Sequence, residues 1–167
     1  MEDKKLSTLV VYYSLEGNTK MMAETISKEI GGDTLRLETK KAISPHGVMK
    51  FIRGGGQVIF KKEPELVKYD INPEDYDVLF IGTPTWAGNF APALRTFFSK
   101  TNLKDKKIAL FNCNGGQRGK TFENMAKSLE GNEILGGIEF DVPLRNDREG
   151  NIKQAKIWSK EIISKIK

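Results

Sequence analysis

One cysteine and one histidine are all that 167 residues supply. The lone thiol, Cys113, has no partner for an internal disulfide, which predicts a reducing, cytoplasmic setting. His46 and Cys113 together cannot furnish the three or four ligands of a zinc centre. Nor does any Cys/His pairing suggest an activated nucleophile, so Cys113 reads as a small residue at a strand end. No apolar run approaches the roughly 20 residues that cross a bilayer, and no membrane span is expected. Met1-Glu2-Asp3-Lys4-Lys5 leads straight into the first strand without the apolar stretch of a secretion signal. There is no G-x-x-x-x-G-K-[ST] loop, which disfavours a P-loop nucleotide hydrolase, and no G-x-G-x-x-G nicotinamide-binding loop.

What is present is ordinary for a globular chain. Hydrophobic residues make up 38% and charged residues 29%, enough for one domain, 1–167, with a real core. Net charge is +5, from 27 Lys and Arg against 22 Asp and Glu. Five of the lysines fall in the last 17 residues, on a helical pattern. They read as a solvated helix face. Nucleic acid is not an expected partner, because no aromatics interleave with those lysines to stack bases.

The informative stretch is Ser14-Leu15-Glu16-Gly17-Asn18-Thr19. It follows an apolar strand, Leu6 to Ser14, and precedes a helix from about Thr19 to Ile30. A turn of this composition between strand and helix makes an anion site. The first N–H groups of the helix lack intrahelical partners, and the macrodipole adds about half a positive charge. Ser14 and Thr19 add hydroxyl donors. With no Lys or Arg inside the turn, the site suits a phosphate held by neutral donors.

Strand and helix signals alternate from there on. Thr34 to Thr39 alternates like a sheet-edge strand. Residues 40–76 read as an irregular, partly helical crossover. His46 to Arg53 and Gln57 to Lys62 are short helical pieces there, Gly54-Gly55-Gly56 is a break, and Pro64 and Pro73 are breakers. Asp77 to Thr83 is a central strand that opens into a loop reaching Asn89. A helix starts near Ala91, with Pro92 tolerated at its first position. Lys107 to Asn112 is the next buried strand, and the helix after it carries Phe122, Met125, Ala126 and Leu129 on one face. Glu133 to Val142 is the last strand, split by Gly136-Gly137. Ile152 to Ile166 closes the chain with Ala155, Trp158, Ile162, Ile163 and Ile166 inward.

Five strands alternating with helices predict an α/β three-layer sandwich: a parallel sheet of order 2-1-3-4-5 with helices on both faces. Ligands in such a sheet bind beyond the carboxyl ends of the strands, where the winding reverses. The loops that start there are those at Ser14, Thr83 and Cys113.

On these three loops the chain resembles the flavodoxin family. Ser14-Leu15-Glu16-Gly17-Asn18-Thr19 matches the family's [ST]-x-x-G-x-T phosphate loop. Gly82-Thr83-Pro84-Thr85-Trp86-Ala87-Gly88 resembles the G-[ST]-P-x-W-x-G loop of a flavodoxin-like branch. Cys113-Asn114-Gly115-Gly116 takes the third position. The resemblance implies FMN as cofactor. Ser14 to Thr19 would then cradle its phosphate, Thr83 to Gly88 would line one side of the ring with Trp86 stacking on it, and Asn114 to Gly116 would approach the other edge. A response-regulator receiver shares the fold type but carries an acidic phosphoacceptor where this chain has Ser14.

The resemblance implies electron transfer between redox partner proteins. The alternatives are an FMN-dependent NAD(P)H oxidoreductase acting on a quinone or other small-molecule acceptor, and a flavin-free interaction or nucleic-acid module. The crossover 40–76 is free to cover the flavin, support a homodimer or simply pack. Two features set the chain apart from acidic electron shuttles. Its pI is near 9.2, and its loops 83–89 and 113–118 hold no acid and one cation, Arg118. The first argues against docking onto basic reductase surfaces, since complementary charge selects partners; the second predicts a less negative second reduction potential than that of an acidic shuttle.

Overall fold

A computed structural model describes residues 6–42 and 62–166. The expectations for His46, for the helical piece 46–53, for the glycine break and for most of 57–62 lie outside these residues.

Hydrophobic runs buried on both faces dictate the centre of the fold. The strands β1 (Thr8–Tyr12), β2 (Asp33–Arg36), β3 (Val78–Trp86), β5 (Lys107–Asn114) and β6 (Glu133–Asp141) form a parallel sheet in the order β2-β1-β3-β5-β6. A two-residue strand β4 (Asn89–Phe90) pairs antiparallel with the end of β3. With β4 set aside, this is the expected order 2-1-3-4-5. All five residues of β1 are buried, whereas β2 buries only Leu35. That contrast fixes β1 inside the sheet and β2 near its edge.

Alternation along the strands sorts the core into two layers. Val10, Tyr12, Val78, Phe80, Ala109, Phe111 and Phe140 meet helices α1 (Asn18–Ile30) and α4 (Arg148–Ser164) on one face. Leu9, Val11, Leu79, Ile81, Ile108 and Leu110 meet α2 (Pro92–Lys100) and α3 (Thr121–Ser128) on the other. A Cβ at Gly82 would stand 2.1 Å from the Phe111 ring. The first glycine of the Pro-x-Trp loop is therefore small because an aromatic of the core crosses it. On the outer side, Glu29 of α1 meets Lys156 at 3.8 Å and Lys160 at 2.5 Å, tying α1 to α4.

Several boundaries differ from the expected ones: β1 is shorter at both ends, β2 stops at Arg36 and β5 runs on to Asn114, and three others have a visible cause. β3 does not stop at Thr83 but runs on to Trp86, because Thr85 and Trp86 pair with Phe90 and Asn89 in a tight hairpin. β6 is not split: the glycines are absorbed as a register shift opposite Ile108 and Ala109, with Gly136 at φ 148°. α4 begins at Arg148 instead of Ile152, since the Asp147 carboxylate accepts the Gly150 N–H and caps it. Pro92 occupies the start of α2 as expected.

Candidate functional site

β1 ends at Tyr12, and Tyr13 stays in register by donating its N–H to the Gly82 carbonyl (3.2 Å). The chain then turns through Ser14 to Gly17. The Gly17 N–H donates to Ser14 Oγ (3.2 Å), and Gly17 adopts φ 96°, a left-handed conformation that glycine takes without steric cost. This turn delivers the chain into α1 with Met21 N–H as the first helical donor, bonded to Gly17 O. The N–H groups of Asn18, Thr19 and Lys20 thus open the helix without intrahelical acceptors. Ser14 and Thr19 are buried, Leu15 is half-buried and Glu16 is exposed. Asn18 is partly committed elsewhere: its Oδ1 accepts the Leu144 N–H at 3.0 Å.

The second loop is a hairpin. Ala87 and Gly88 occupy its two turn positions with φ 46° and 75°. Thr83 is fully buried at its base; its hydroxyl donates to Pro84 O (2.8 Å) and accepts the Ala91 N–H (3.0 Å). Trp86 is only 8% exposed and meets Tyr13 edge-on, with centroids 5.7 Å apart and planes at 90°. The indole belongs to the core beneath the hairpin, and Thr85, Ala87 and Gly88 are the hairpin residues that face the cleft.

The third loop leaves β5 at Asn114. Asn114 Oδ1 accepts the Gly116 N–H (2.9 Å), which uses up one backbone donor expected to face the ligand. Asn114 Nδ2 then faces Asn112 Oδ1 (2.9 Å) and Glu139 (3.4 Å). Asn112 is fully buried, and its own Nδ2 has no partner among the described residues. Cys113 points to the opposite face, into the α1 and α4 layer. Burial pushes its thiol up to about 12, and a hydrogen bond with Thr19 acts in the opposite direction. Cys113 thus lies buried near the end of β5.

Between the hairpin and the third loop lies an open cleft of about 550 Å³ lined by Thr85, Ala87, Gly88, Gly115, Gly116 and Gln117. Its size is that of a site for a cofactor. The two walls are fastened to each other. Lys120 N–H donates to Gly88 O (2.9 Å), and the Thr85 and Thr121 hydroxyls meet at 3.1 Å. Gln117, Gly119 and Thr121 were not among the sequence candidates. Nothing in the sequence pairs residue 88 with 119, so only the composition of the loop could have flagged them.

The sheet also brings in an acid. Glu139 of β6 lies beside the third loop, 4.0 Å from Arg118, with both side chains half-exposed. The loop residues hold no acid, as expected, but the rim of the site does.

A family model described as flavodoxin matches residues 7–141. The chain belongs to the flavodoxin family. It is 31% identical over 153 residues to the flavodoxin-like domain-containing protein BilS of Clostridioides difficile, covering 91% of this chain and 68% of that protein. It is 29% identical over 120 residues to NAD(P)H dehydrogenase (quinone) 3 of Rhizobium meliloti, covering 66% of this chain and only 54% of that protein. Among solved structures, the flavoprotein of Lactobacillus acidophilus in complex with FMN aligns with TM-score 0.66 and 25% identity, over 83% of this chain and 96% of that one. A Bacteroides eggerthii structure aligns with TM-score 0.76 and 23% identity, over 95% and 98%, and shows the common fold.

Membership of the flavodoxin family brings FMN with it as cofactor, and the residues present fit that group. The start of α1 offers the N–H groups of Asn18, Thr19 and Lys20, which have no intrahelical acceptor, and the Ser14 hydroxyl, with no cationic side chain inside the Ser14–Thr19 turn. The cleft between the hairpin and the third loop is lined by small or neutral residues. A buried amide donor, Asn112 Nδ2, is left over beneath the third loop.

Proposed function

We propose that this chain is a single-domain FMN-binding redox protein that passes electrons between partner proteins, in a reducing cytoplasm. The observation that supports it best is the convergence of three loops, after β1, β3 and β5, at the reversal of winding, with an open cleft between the second and third of them. Ser14, Leu15, Glu16, Gly17, Asn18 and Thr19 form that loop and hold the phosphate. Thr83 holds the hairpin closed through its two hydrogen bonds, and Thr85, Ala87 and Gly88 form one wall. Pro84 and Trp86 carry the hairpin from below, Trp86 acting as its core anchor. Cys113 stands next to the end of β5 with its side chain in the opposite layer, Asn114 holds the third loop through the Gly116 N–H, and Gly115 and Gly116 form the second wall. FMN, once bound, supplies the one- and two-electron chemistry; the chain supplies position, electrostatics and exclusion of side reactions.

A second reading is an FMN-dependent oxidoreductase that takes hydride from NAD(P)H and reduces a quinone. The openness of the cleft and the likeness to the Rhizobium meliloti quinone dehydrogenase favour it. Titrating the apoprotein with FMN and with riboflavin, following tryptophan fluorescence, tests cofactor binding. FMN should bind far more tightly than riboflavin. A protein that stays colourless and binds neither would overturn both readings and leave a flavin-free interaction module. Steady-state NADH and NADPH oxidation with a quinone then separates carrier from enzyme: fast turnover favours the enzyme.

A further inference from the structure

The segment after β6 makes a sharp and unfavourable turn. Val142 sits at φ 39°, a conformation that a β-branched residue rarely adopts. Its carbonyl accepts the N–H groups of Arg145 (2.8 Å) and Asn146 (3.0 Å), which keeps the turn closed. The turn carries Leu144 back across the top of the sheet to the phosphate loop. There the Leu144 N–H donates to Asn18 Oδ1 (3.0 Å), and a Cβ at Gly17 would stand 3.4 Å from Leu144 Cδ1. At its other end, the Val142 N–H donates to Asn114 O (2.9 Å). Asn114 in turn holds the Gly116 N–H through its side chain (2.9 Å), and Gly116 lines the cleft. An unbroken run of bonds thus leads from Asn18 in the phosphate loop, through Leu144 and Val142, to Gly116 in the cleft wall.

We propose that residues 142–144 form a strap through which occupancy of the phosphate loop sets the position of the Gly115–Gly116 wall, with Asn18 as the positioning residue that couples them. The Leu144 N–H also fixes which end of the Asn18 amide is free: Oδ1 is taken, so Nδ2 remains as a donor at the head of α1. A phosphate that engages the N–H groups of α1 draws on the same residue that anchors the strap. The strain at Val142 is held by the bonds at both ends of the strap, so loss of the Asn18 bond removes one of the contacts that maintain it. The proposal rests on the reading of Ser14–Thr19 as a phosphate loop.

Inorganic phosphate is the probe, added to the flavin-free protein and followed by amide NMR. In the native chain, the Thr19, Leu144 and Gly116 amides should shift with one common midpoint. In Asn18→Ala, Thr19 should still titrate, at higher phosphate, while Gly116 no longer moves. Leu144→Ala keeps the backbone bond and should keep the Gly116 response. If Thr19 titrates in the native chain and Gly116 stays still, the strap is overturned and the phosphate loop stands. If Gly116 still responds in Asn18→Ala, the coupling does not pass through Asn18 and the proposal is overturned. If Thr19 itself does not respond, the phosphate-loop reading falls, and the strap with it.

Discussion

Gly119 packs its Cα against Gly88 so closely that a Cβ built on it would lie 2.3 Å from the Gly88 Cα. Two loops more than 30 residues apart in sequence meet backbone to backbone and close one end of the cleft. Gly119→Ala therefore forces backbone to move, and overpacking of this kind costs about 1–3 kcal/mol. Gly116, three residues earlier, is a control. A Cβ there meets nothing within 4 Å, and only its φ of 96° resists substitution. Gly116→Ala should cost about 1 kcal/mol, the penalty of a left-handed alanine. Urea unfolding of both apoprotein variants measures the difference. Equal losses would mean that the Gly88–Gly119 contact is not what constrains the loop.

The hairpin offers the reverse case. Ala87 is held at φ 46° in a two-residue turn where both positions are left-handed. Such turns favour Asn-Gly, because asparagine tolerates that region better than alanine. Ala87→Asn should stabilise the apoprotein by about 0.5–1 kcal/mol. Ala87 also lines the cleft, so the larger side chain should weaken FMN binding while it raises the melting temperature. A variant that loses stability would show that the turn is held in this shape by something other than local preference.

Much of this frame is legible in the residues, and the exceptions have one cause. Val10, Phe80, Ile81 and Leu110 sit in continuous apolar runs, so the strands and their order follow from local pattern. The phosphate loop is equally local: six consecutive residues make it. What escaped is long-range. Trp86 reads as a surface stacking group from its neighbours Pro84 and Gly88, but Tyr13, 73 positions away in sequence, meets it edge-on inside the core. The apolar run ends β3 near Thr83, yet pairing with Phe90 and Asn89 carries the strand on to Trp86. A count of charges within the loops finds no acid, but the adjacent strand contributes Glu139. The bond from Leu144 to Asn18 spans 126 positions, and no local signal encodes it.

Cys113 provides a pH dependence with a definite sign. Its thiol is pushed from 9.0 up to about 12 in the folded chain, chiefly by burial. Between those values the unfolded chain loses a proton that the folded chain keeps. The folded state therefore binds more protons, and stability falls as pH rises from about 9 towards 12, with a slope of at most about 1.4 kcal/mol per pH unit. Burial raises Tyr12 and Tyr13 in the same direction, so they add to the decline above pH 10. Cys113→Ala removes the thiol's share alone and should flatten the curve between pH 9 and 10. A native thiol reagent assay at pH 8 should show labelling only at the rate of unfolding. Fast labelling of the folded protein would contradict the burial of the thiol.

Arg118 and Glu139 face each other across 4.0 Å at the rim of the cleft, and Arg118 also lies over the Phe122 ring at 5.9 Å. Both are half-exposed, so each charge acts through water and is screened by salt. A reduced flavin gains negative charge, which a nearby cation stabilises and a nearby carboxylate opposes. Arg118→Ala should make the second reduction potential more negative, and Glu139→Gln should make it less negative. Exposed charges of this kind are worth about 0.2–1 kcal/mol, which converts to shifts of roughly 10–40 mV. The expected sizes are similar and opposite, and the double variant should return close to the native value because the pair is nearly neutral as a unit. Spectroelectrochemical titration at low and high salt reads all three. Shifts of one sign for both variants would show that these side chains act by reshaping the third loop, through Asn114 and Glu139, and not by their charge.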